Sequence, residues 1–364
     1  MVKGLINVCL ALFISLNLFN CVGGNHEAWF NGEILFIKNL DRTDTLIGNQ
    51  IILDTSAFGM IAVYDSIGFL YRPTERDFQY RCFNLKNGME IHKFFPLGND
   101  KNEFHNVTPI LQYYQDGERL LSPFVAVNEE VFGFFDVTNS LIAGKTMLDT
   151  VFRLRWKEHY IEPFIFVFGL SKTTILAKEQ PVRNVLNEHR YTTPKYLKID
   201  LRRKRNLVSK TFSPYNELYI ENAGQFNRNL LLSFDKIKPD RKKVAICMQY
   251  VNQVNILDIE TGKMFGARLP MNNKNLHNKS AGFELQYLHA DVDDDYIYAL
   301  RFDNKPRKVP EVPNGNIINV FDWKGNFVRR VYLSERVSYI SLDSQRKYLY
   351  GVDNKEGKIF RFNI

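Results

Sequence analysis

The sequence predicts an all-β fold: a six-bladed β-propeller closed by an N-terminal strand that joins the last blade. A short strand motif occurs six times along the 364 residues. The copies lie 41 to 64 residues apart, the spacing expected of four-stranded blades with their connections. Aromatic residues make up 14% of the chain, with 29 Phe and 18 Tyr, and such residues favour half-buried strands.

The repeated motif is an apolar residue, then Asp or Asn, then another apolar residue, usually before a tight polar turn. Its six copies are Phe83-Asn84-Leu85, Phe135-Asp136-Val137, Ile199-Asp200-Leu201, Leu257-Asp258-Ile259, Phe321-Asp322-Trp323 and Phe362-Asn363-Ile364. We take the Asp or Asn of each copy as the marker of one blade.

After five of the six markers comes a turn and then a further strand. The turns include Lys86–Gly88, Glu260–Gly262 and Lys324–Asn326, whose Gly and Asn residues permit the positive φ of hairpins. The strands that follow include Met89–Phe94, Asn206–Lys210, Lys263–Gly266 and Phe327–Val331. Their basic residues suit outer edge strands, where charge discourages edge-to-edge pairing.

The sixth marker has no strand after it, because the sequence stops at Ile364. The segment Gly32–Leu40 has the pattern of the other outer strands, and we expect it to complete the sixth blade. Such a closure ties both ends of the chain together and removes the open edge of a linear array.

The remaining apolar runs fit the inner positions of the blades. We place Met60–Tyr64 and Gly68–Tyr71 in blade one, Lys243–Ile246 in blade four, Asp295–Leu300 in blade five and Lys347–Val352 in blade six. Blade three is the least regular, and its segment Pro181–His189 is interpreted as a loop or a single helical turn.

The first twenty residues have the features of a secretory signal, with one charge at Lys3 followed by an interrupted apolar run. The run ends in Leu18-Phe19-Asn20-Cys21, which resembles a bacterial lipobox with Cys21 as the lipidated residue. An ordinary signal peptide cut nearby is the alternative. We therefore divide the chain into a signal peptide (1–20), a lipidated linker (21–31) and the propeller (32–364), on the periplasmic side of an outer membrane.

The charge pattern does not indicate a nucleic-acid-binding protein. The formal charge is +8, but Lys and Arg are spread along the chain rather than gathered into a stripe. The one dense cluster, Arg202–Arg205, falls where a turn is expected. We predict no nucleic-acid partner, no cofactor and a monomeric state.

Two cysteines fall within the predicted propeller, and both lie in apolar runs. We interpret Cys82 and Cys247 as buried free thiols. A disulfide between them is the alternative in an oxidising compartment, and sequence does not test its geometry.

The sequence contains few candidates for chemistry. The acidic run Asp291–Asp295 invites comparison with a calcium loop, but it lacks the Gly and the distal Glu of one, so a solvated turn is favoured. The seven histidines show no metal-ligand spacing, and we predict no metal site. His289 and Asp291 could meet a substrate at the end of an inner strand.

The last third of the chain carries a family resemblance. Asp294–Leu300, Asn319–Asn326 and Leu349–Val352 resemble, in this order, three strand motifs of the TolB-like six-bladed propeller lipoproteins of Bacteroides-type bacteria. Upstream, Phe95–Phe104 resembles a reduced form of a connection between that family's first blades. The resemblance covers roughly residues 50–364. It implies the fold and export, and it implies no reaction.

These observations favour a non-enzymatic binding or scaffold module, tethered to the membrane by lipid and holding a protein or glycan with its loops. The alternative is a hydrolase or lyase with a metal or acid–base site at the mouth of the central channel.

Overall fold

The strands are arranged as six sheets, one for each copy of the repeated motif. The computed structural model describes residues 27–100, 102–154, 164–179, 193–203, 207–222, 228–271, 284–302, 313–343, 345 and 347–364. The signal sequence, Cys21 and the Pro181–His189 segment lie outside these ranges. The all-β six-bladed propeller predicted from the sequence is confirmed.

Three short strands precede the blades: β1 (Glu33–Phe36), β2 (Thr43–Leu46) and β3 (Gly48–Ile51). Blade one contains β4 (Met60–Tyr64), β5 (Ile67–Tyr71), β6 (Phe78–Asn84) and β7 (Glu90–Pro96). Blade two contains β8 (Tyr114–Asp116), β9 (Arg119–Ala126), β10 (Val131–Asp136) and β11 (Leu148–Arg153), with helix α1 (Val137–Ala143) before the last strand.

Blade three contains β12 (Phe164–Ser171), β13 (Thr174–Glu179), β14 (Tyr196–Asp200) and β15 (Val208–Phe212). Helix α2 (Glu217–Asn222) and a 3₁₀ turn (Arg228–Leu231) lead to blade four, which contains β16 (Ser233–Ile237), β17 (Lys243–Met248), β18 (Gln253–Asp258) and β19 (Met264–Arg268).

Blade five contains β20 (Tyr287–Val292), β21 (Tyr296–Arg301), β22 (Gly315–Asp322) and β23 (Phe327–Val337). The sixth contains β24 (Tyr339–Leu342), β25 (Tyr348–Asp353) and β26 (Lys358–Asn363), and it takes β3 as its fourth strand.

The Asp or Asn markers have one structural position in common. Each is the last residue of the third strand of its blade. In five blades its side chain accepts a hydrogen bond from a backbone N–H two to four residues later, as in Asn84 with Lys86 and Asp322 with Asn326. The marker therefore fixes the turn into the outer strand, and in blade two the same bond caps α1.

Many of the aromatic side chains pack in the spaces between neighbouring blades. Each of the six interfaces between neighbouring blades contains its own cluster of buried apolar residues. Between blades one and two, Phe94, Phe95 and Phe135 pack with ring centroids 4.9 to 5.4 Å apart. Such clusters stabilise the ring because no single blade can bury its own faces.

A buried polar network also joins blades three and four. The Lys178 ammonium lies 2.9 Å from a carboxylate oxygen of Asp235 and donates to the Ser233 hydroxyl at 2.6 Å. Tyr196 donates to the same carboxylate, and Lys178 and Asp235 are each only 1% exposed. The charges compensate each other, as burial requires.

Cys82 and Cys247 are free and fully buried, as predicted, and they lie in different blades, on β6 and β17. Burial raises the pKa of both thiols, so they stay protonated near neutral pH.

The closure of the ring is confirmed, but by another segment than the one predicted. The closing strand is β3, which pairs antiparallel with β26 from Gly48 opposite Phe362 to Ile51 opposite Ile359. The predicted segment Gly32–Leu40 instead supplies β1, which pairs parallel with β19 of blade four. Between them, β2 pairs parallel with β23 of blade five. We call residues 27–51 the N-terminal strap, because they follow the outer edges of three successive blades.

The start of the strap is held by Arg268, the last residue of β19. Its guanidinium pairs with both carboxylate oxygens of Glu27 and donates to Gln253 at 2.7 Å. It also lies 5.7 Å from the Trp29 ring and 5.5 Å from the Phe36 ring, and it is 1% exposed. These contacts explain why Gly32–Leu40 lies at blade four: the residues just before it, Glu27 and Trp29, are bound there.

Substitutions in the strap test which strand closes the ring. A Cβ at Gly48 would come 2.6 Å from the buried Phe362 ring, so Gly48→Val should cost about 1–3 kcal/mol of unfolding free energy by overpacking. Leu35→Ala, in the half-exposed β1, should stay within about 0.5 kcal/mol of the wild type. Chemical denaturation of the two variants measures both costs. A larger loss for Leu35→Ala would contradict closure by β3.

Candidate functional site

The central channel contains a cavity of about 240 Å³. Its walls come from the inner strands of five blades, at or near the ends of β4, β16, β20 and β24, and from the segment before β8. The lining residues are Ala62–Tyr64, Ile110–Tyr113, Lys236, Ile237, Pro239, Asp291–Asp293 and Ser341–Asp343. Because inner strands run in parallel around a propeller, these residues define one end of the channel, which we call the mouth.

No described residue of blade three lines the cavity, and Gln112 lies in front of this blade. The Gln112 side chain donates to the Gly169 carbonyl at 3.0 Å and accepts from the Gly169 N–H at 2.8 Å. These two hydrogen bonds to the backbone of β12 fix the Gln112 side chain across the gap between blades two and three.

An ion pair at the mouth joins blades four and five, and its carboxylate also accepts a hydrogen bond from blade six. Lys236, on β16, places its ammonium 3.2 Å from one carboxylate oxygen of Asp291, on β20. The other oxygen of Asp291 accepts from the Leu342 N–H of β24 at 2.7 Å. Lys236 is 6% exposed, so its charge depends on this partner for compensation.

His289 lies two residues before Asp291 and is 1% exposed. Its ring packs edge-on between Phe234 and Tyr339, each with ring centroids 5.3 Å away. Nδ1 accepts from the Ile340 N–H at 3.4 Å, and Nε2 has no hydrogen-bond partner among the described residues. Burial, followed by the nearby Lys236 charge, lowers the pKa of His289 well below its ordinary value. The imidazole is therefore neutral at pH 7 and serves mainly as a packing group.

Two further aspartates line the mouth, and both hold turns. Asp293 accepts from the backbone N–H groups of Asp295 and Tyr296, each at 2.7 Å. Asp343 accepts from those of Lys347 and Tyr348 at 2.8 and 3.2 Å. The two side chains occupy equivalent places after the inner strands of blades five and six, and both are largely buried.

The acidic run Asp291–Asp295 is thus the end of β20 followed by the tight turn to β21. The predicted turn is present, although Asp291 and Asp293 are more buried than a solvated turn implies. Within the described ranges, no three His, Cys, Asp or Glu side chains come together in a way that could hold a metal ion.

Aromatic and hydroxyl groups form another wall of the mouth. Tyr64 and Tyr113 meet edge to face with ring centroids 5.3 Å apart. The Tyr113 hydroxyl is buried without a hydrogen-bond partner in the part of the chain that the structure describes. Burial raises the pKa of Tyr113 well above its usual range, so this hydroxyl remains a donor near neutral pH.

The mouth is acidic in a basic chain. Its lining carries three carboxylates, Asp291, Asp293 and Asp343, against the single ammonium of Lys236. The chain as a whole carries +8. A confined excess of carboxylates between low-dielectric walls favours cationic groups.

The structure places only part of what the sequence singled out at this site. Asp291 lines the mouth and His289 lies buried beneath it, as their position on an inner strand indicated. His92 bonds the Leu141 carbonyl and His105 pairs with Glu129, and neither histidine lines the cavity. The other four histidines lie outside the described residues, as does Cys21. The expected turn is present at Leu201 and Arg202, where the basic cluster Arg202–Arg205 begins, and Arg202 pairs with Asp200.

Sequence reasoning missed Lys236, Asp343, Tyr113 and Gln112. Asp343 could have been found by aligning the blades on their markers, because it follows an inner strand as Asp293 does. Lys236 gave no such signal, since a lysine in a strand usually points to solvent.

A pH titration tests the burial of His289. In the unfolded chain this histidine titrates near pH 6.5, whereas the folded protein keeps it neutral to much lower pH. Protons therefore bind the unfolded state first, and the free energy of unfolding should fall by up to about 1.4 kcal/mol per pH unit below pH 6.5. His289→Asn should remove this part of the slope in denaturation at about pH 7 and about pH 5.

Leu35→Ala, which removes no titratable group, provides the control and should retain the wild-type slope. An unchanged slope in His289→Asn would contradict a buried neutral imidazole.

Comparison with known proteins supports the fold. The family model described as TolB-like 6-blade propeller-like matches residues 171–345. A search of curated proteins finds no significant match. Among the described residues, the structure contains no helix long and apolar enough to cross a bilayer.

Solved structures give a similar result. A member of the DUF4221 family from Bacteroides vulgatus aligns with a TM-score of 0.55 and 11% identity, over 89% of this chain and 97% of that one. The β-propeller domain of Cps50 (Swd1) from Myceliophteria thermophila aligns with a TM-score of 0.46 and 11% identity, over 87% and 99%. The family match and the six blades together confirm the resemblance to TolB-like six-bladed propellers that the sequence motifs indicated.

Proposed function

We propose that this chain is a lipid-anchored binding module of the bacterial cell envelope, which holds a cationic group of a protein or glycan in the mouth of its channel. The observation that carries this proposal is the cavity itself, with carboxylates and tyrosines from separate blades around a common space. A rigid ring that presents groups from several loops is well suited to recognition.

The size of the cavity favours an inserted group over a whole small molecule. Pockets that enclose drug-sized ligands typically measure about 300–1,000 Å³. The mouth, at about 240 Å³, is smaller than this range. It has room for a lysine or arginine side chain or a single amino sugar, while the rest of the partner contacts the surrounding loops.

The charge of the mouth supports a cationic group. Asp291 and Asp293 have both carboxylate oxygens engaged within the protein. Asp343 uses one oxygen, Oδ1, for the turn after β24. Its second oxygen is the acceptor best suited to an incoming ammonium or guanidinium, and the Tyr64 and Tyr113 rings would offer cation–π contact beside it.

Binding of small cationic probes tests the mouth. Tri-lysine and a chitosan trimer represent the protein and glycan sources, and the acetylated chitin trimer is the neutral control. We expect calorimetry to show weak binding of the cationic probes. Asp343→Asn should weaken it by roughly 3–10-fold, since one charge about 4 Å away is worth about 1 kcal/mol when water still surrounds the pair.

Glu356→Gln is the matched control, because Glu356 is an exposed carboxylate in the turn between β25 and β26, away from the mouth. It should bind the probes like the wild type. Equal losses in the two variants, or no binding at millimolar probe, would refute a cation-binding mouth. Hydrolysis of the chitosan trimer would instead favour the alternative, a hydrolase.

The membrane anchor rests on the sequence before the described residues. A signal-like segment ends at Leu18-Phe19-Asn20-Cys21, and a lipidated cysteine would tether the propeller to the envelope. Cys21→Ala should therefore release the protein into the soluble fraction, whereas Cys82→Ala should remain with the membranes. Unchanged retention of Cys21→Ala after a carbonate wash would show that Cys21 carries no anchor.

A further inference from the structure

The start of the N-terminal strap binds the end of the ring opposite the mouth. Asn31 donates its N–H to the Pro214 carbonyl at 2.9 Å, and the Asn216 N–H donates to the Trp29 carbonyl at 2.9 Å. The Trp29 ring stacks on Tyr215 with centroids 6.2 Å apart. Residues 27–31 are thus fixed to the connection between blades three and four.

The connection between blades three and four shows which end of the ring the start of the strap binds. It leads from the end of β15 to Ser233, where the inner strand β16 begins. The cluster around Trp29 also includes Met248 and Val251, at the end of β17, which runs antiparallel to β16. We call this side the entry face, because inner strands begin there. The mouth lies where the inner strands end.

We infer that the entry face lies against the phospholipid bilayer and that the mouth faces away from it. This inference rests on the proposed lipidation of Cys21. Six residue steps separate Cys21 from Glu27, and a fully extended chain spans at most about 3.6 Å per step. Glu27, held by Arg268, therefore lies within about 22 Å of the lipidated cysteine.

That reach favours this orientation over the opposite one. The inner strands are four to six residues long in blades four to six, or roughly 13–20 Å, and turns extend beyond both of their ends. If the mouth faced the bilayer, the full depth of the ring would separate Glu27 from the lipid. The tether would then have to run almost fully extended along the outer edge of the ring to cross this depth and its turns.

Apolar side chains on the entry face suit a lipid surface. Leu218, on α2, is 72% exposed, and Leu232, just before β16, is 38% exposed. Both lie in the connection between blades three and four, after the residues that hold Trp29. Exposure alone does not select this face, since Met89, in the turn after β6, and Ile142, on α1 after β10, are also exposed. The tether is what distinguishes the two sides.

Site-specific quenching tests the orientation in the full lipidated protein. Leu218→Cys labels the entry face, and Lys324→Cys labels the turn between β22 and β23 on the mouth side. Cys82 and Cys247 are buried and should not react with the label. Each variant carries a fluorescent maleimide and is reconstituted into phosphatidylcholine vesicles that contain headgroup-nitroxide lipid.

We expect the label at position 218 to be quenched at least threefold more strongly than the label at position 324. Equal quenching, or stronger quenching at position 324, would overturn the inferred orientation. Failure of the anchor gives a different result: the protein would not float with the vesicles at all, as expected for Cys21→Ala. Flotation without a difference in quenching thus refutes the orientation alone.

Discussion

The closure of the ring determines the path of the whole N-terminal region. Blade six has three strands from the end of the chain and needs a fourth, which β3 supplies through its pairing with β26. The chain is first fixed at blade four, where Arg268 binds Glu27 and Trp29. It must therefore pass blades four and five to reach blade six, and β1 and β2 form along this path. Two of the six blades have a fifth strand for this reason.

The groups at the mouth serve the structure and the proposed site together. Lys236 and Asp291 join blades four, five and six, and Asp293 and Asp343 hold the turns that frame the opening. A buried polar group that is fully paired keeps one geometry, because any displacement leaves a charge or donor uncompensated. The same pairing that positions the mouth thus restricts how far it can adapt to a ligand.

The sequence was sufficient to predict the six blades, but it did not predict how the N-terminal strap pairs or which residues line the mouth. The Asp and Asn markers identified all six third strands, because a side chain that holds a turn acts within a few residues. Gly32–Leu40 was recognised as an outer strand but assigned to the wrong blade, since an edge pattern does not specify which edge it pairs with. Gly48–Ile51, with three polar or small residues, gave no strand signal. Lys236 and Asp343 line one cavity only because the ring closes, and the local sequence around Lys236 does not indicate this.

The strap also determines how the protein would bear a mechanical load. A pull on the N-terminal end reaches Glu27 first, and the Arg268 contacts there resist it together with the Trp29 cluster. The closing strand β3 lies about twenty residues further along the chain, behind β1 and β2. Tension would therefore have to detach two strands from blades four and five in succession before it opened the ring. The closing strand β3, paired with β26, is therefore the last part of the strap to come under tension.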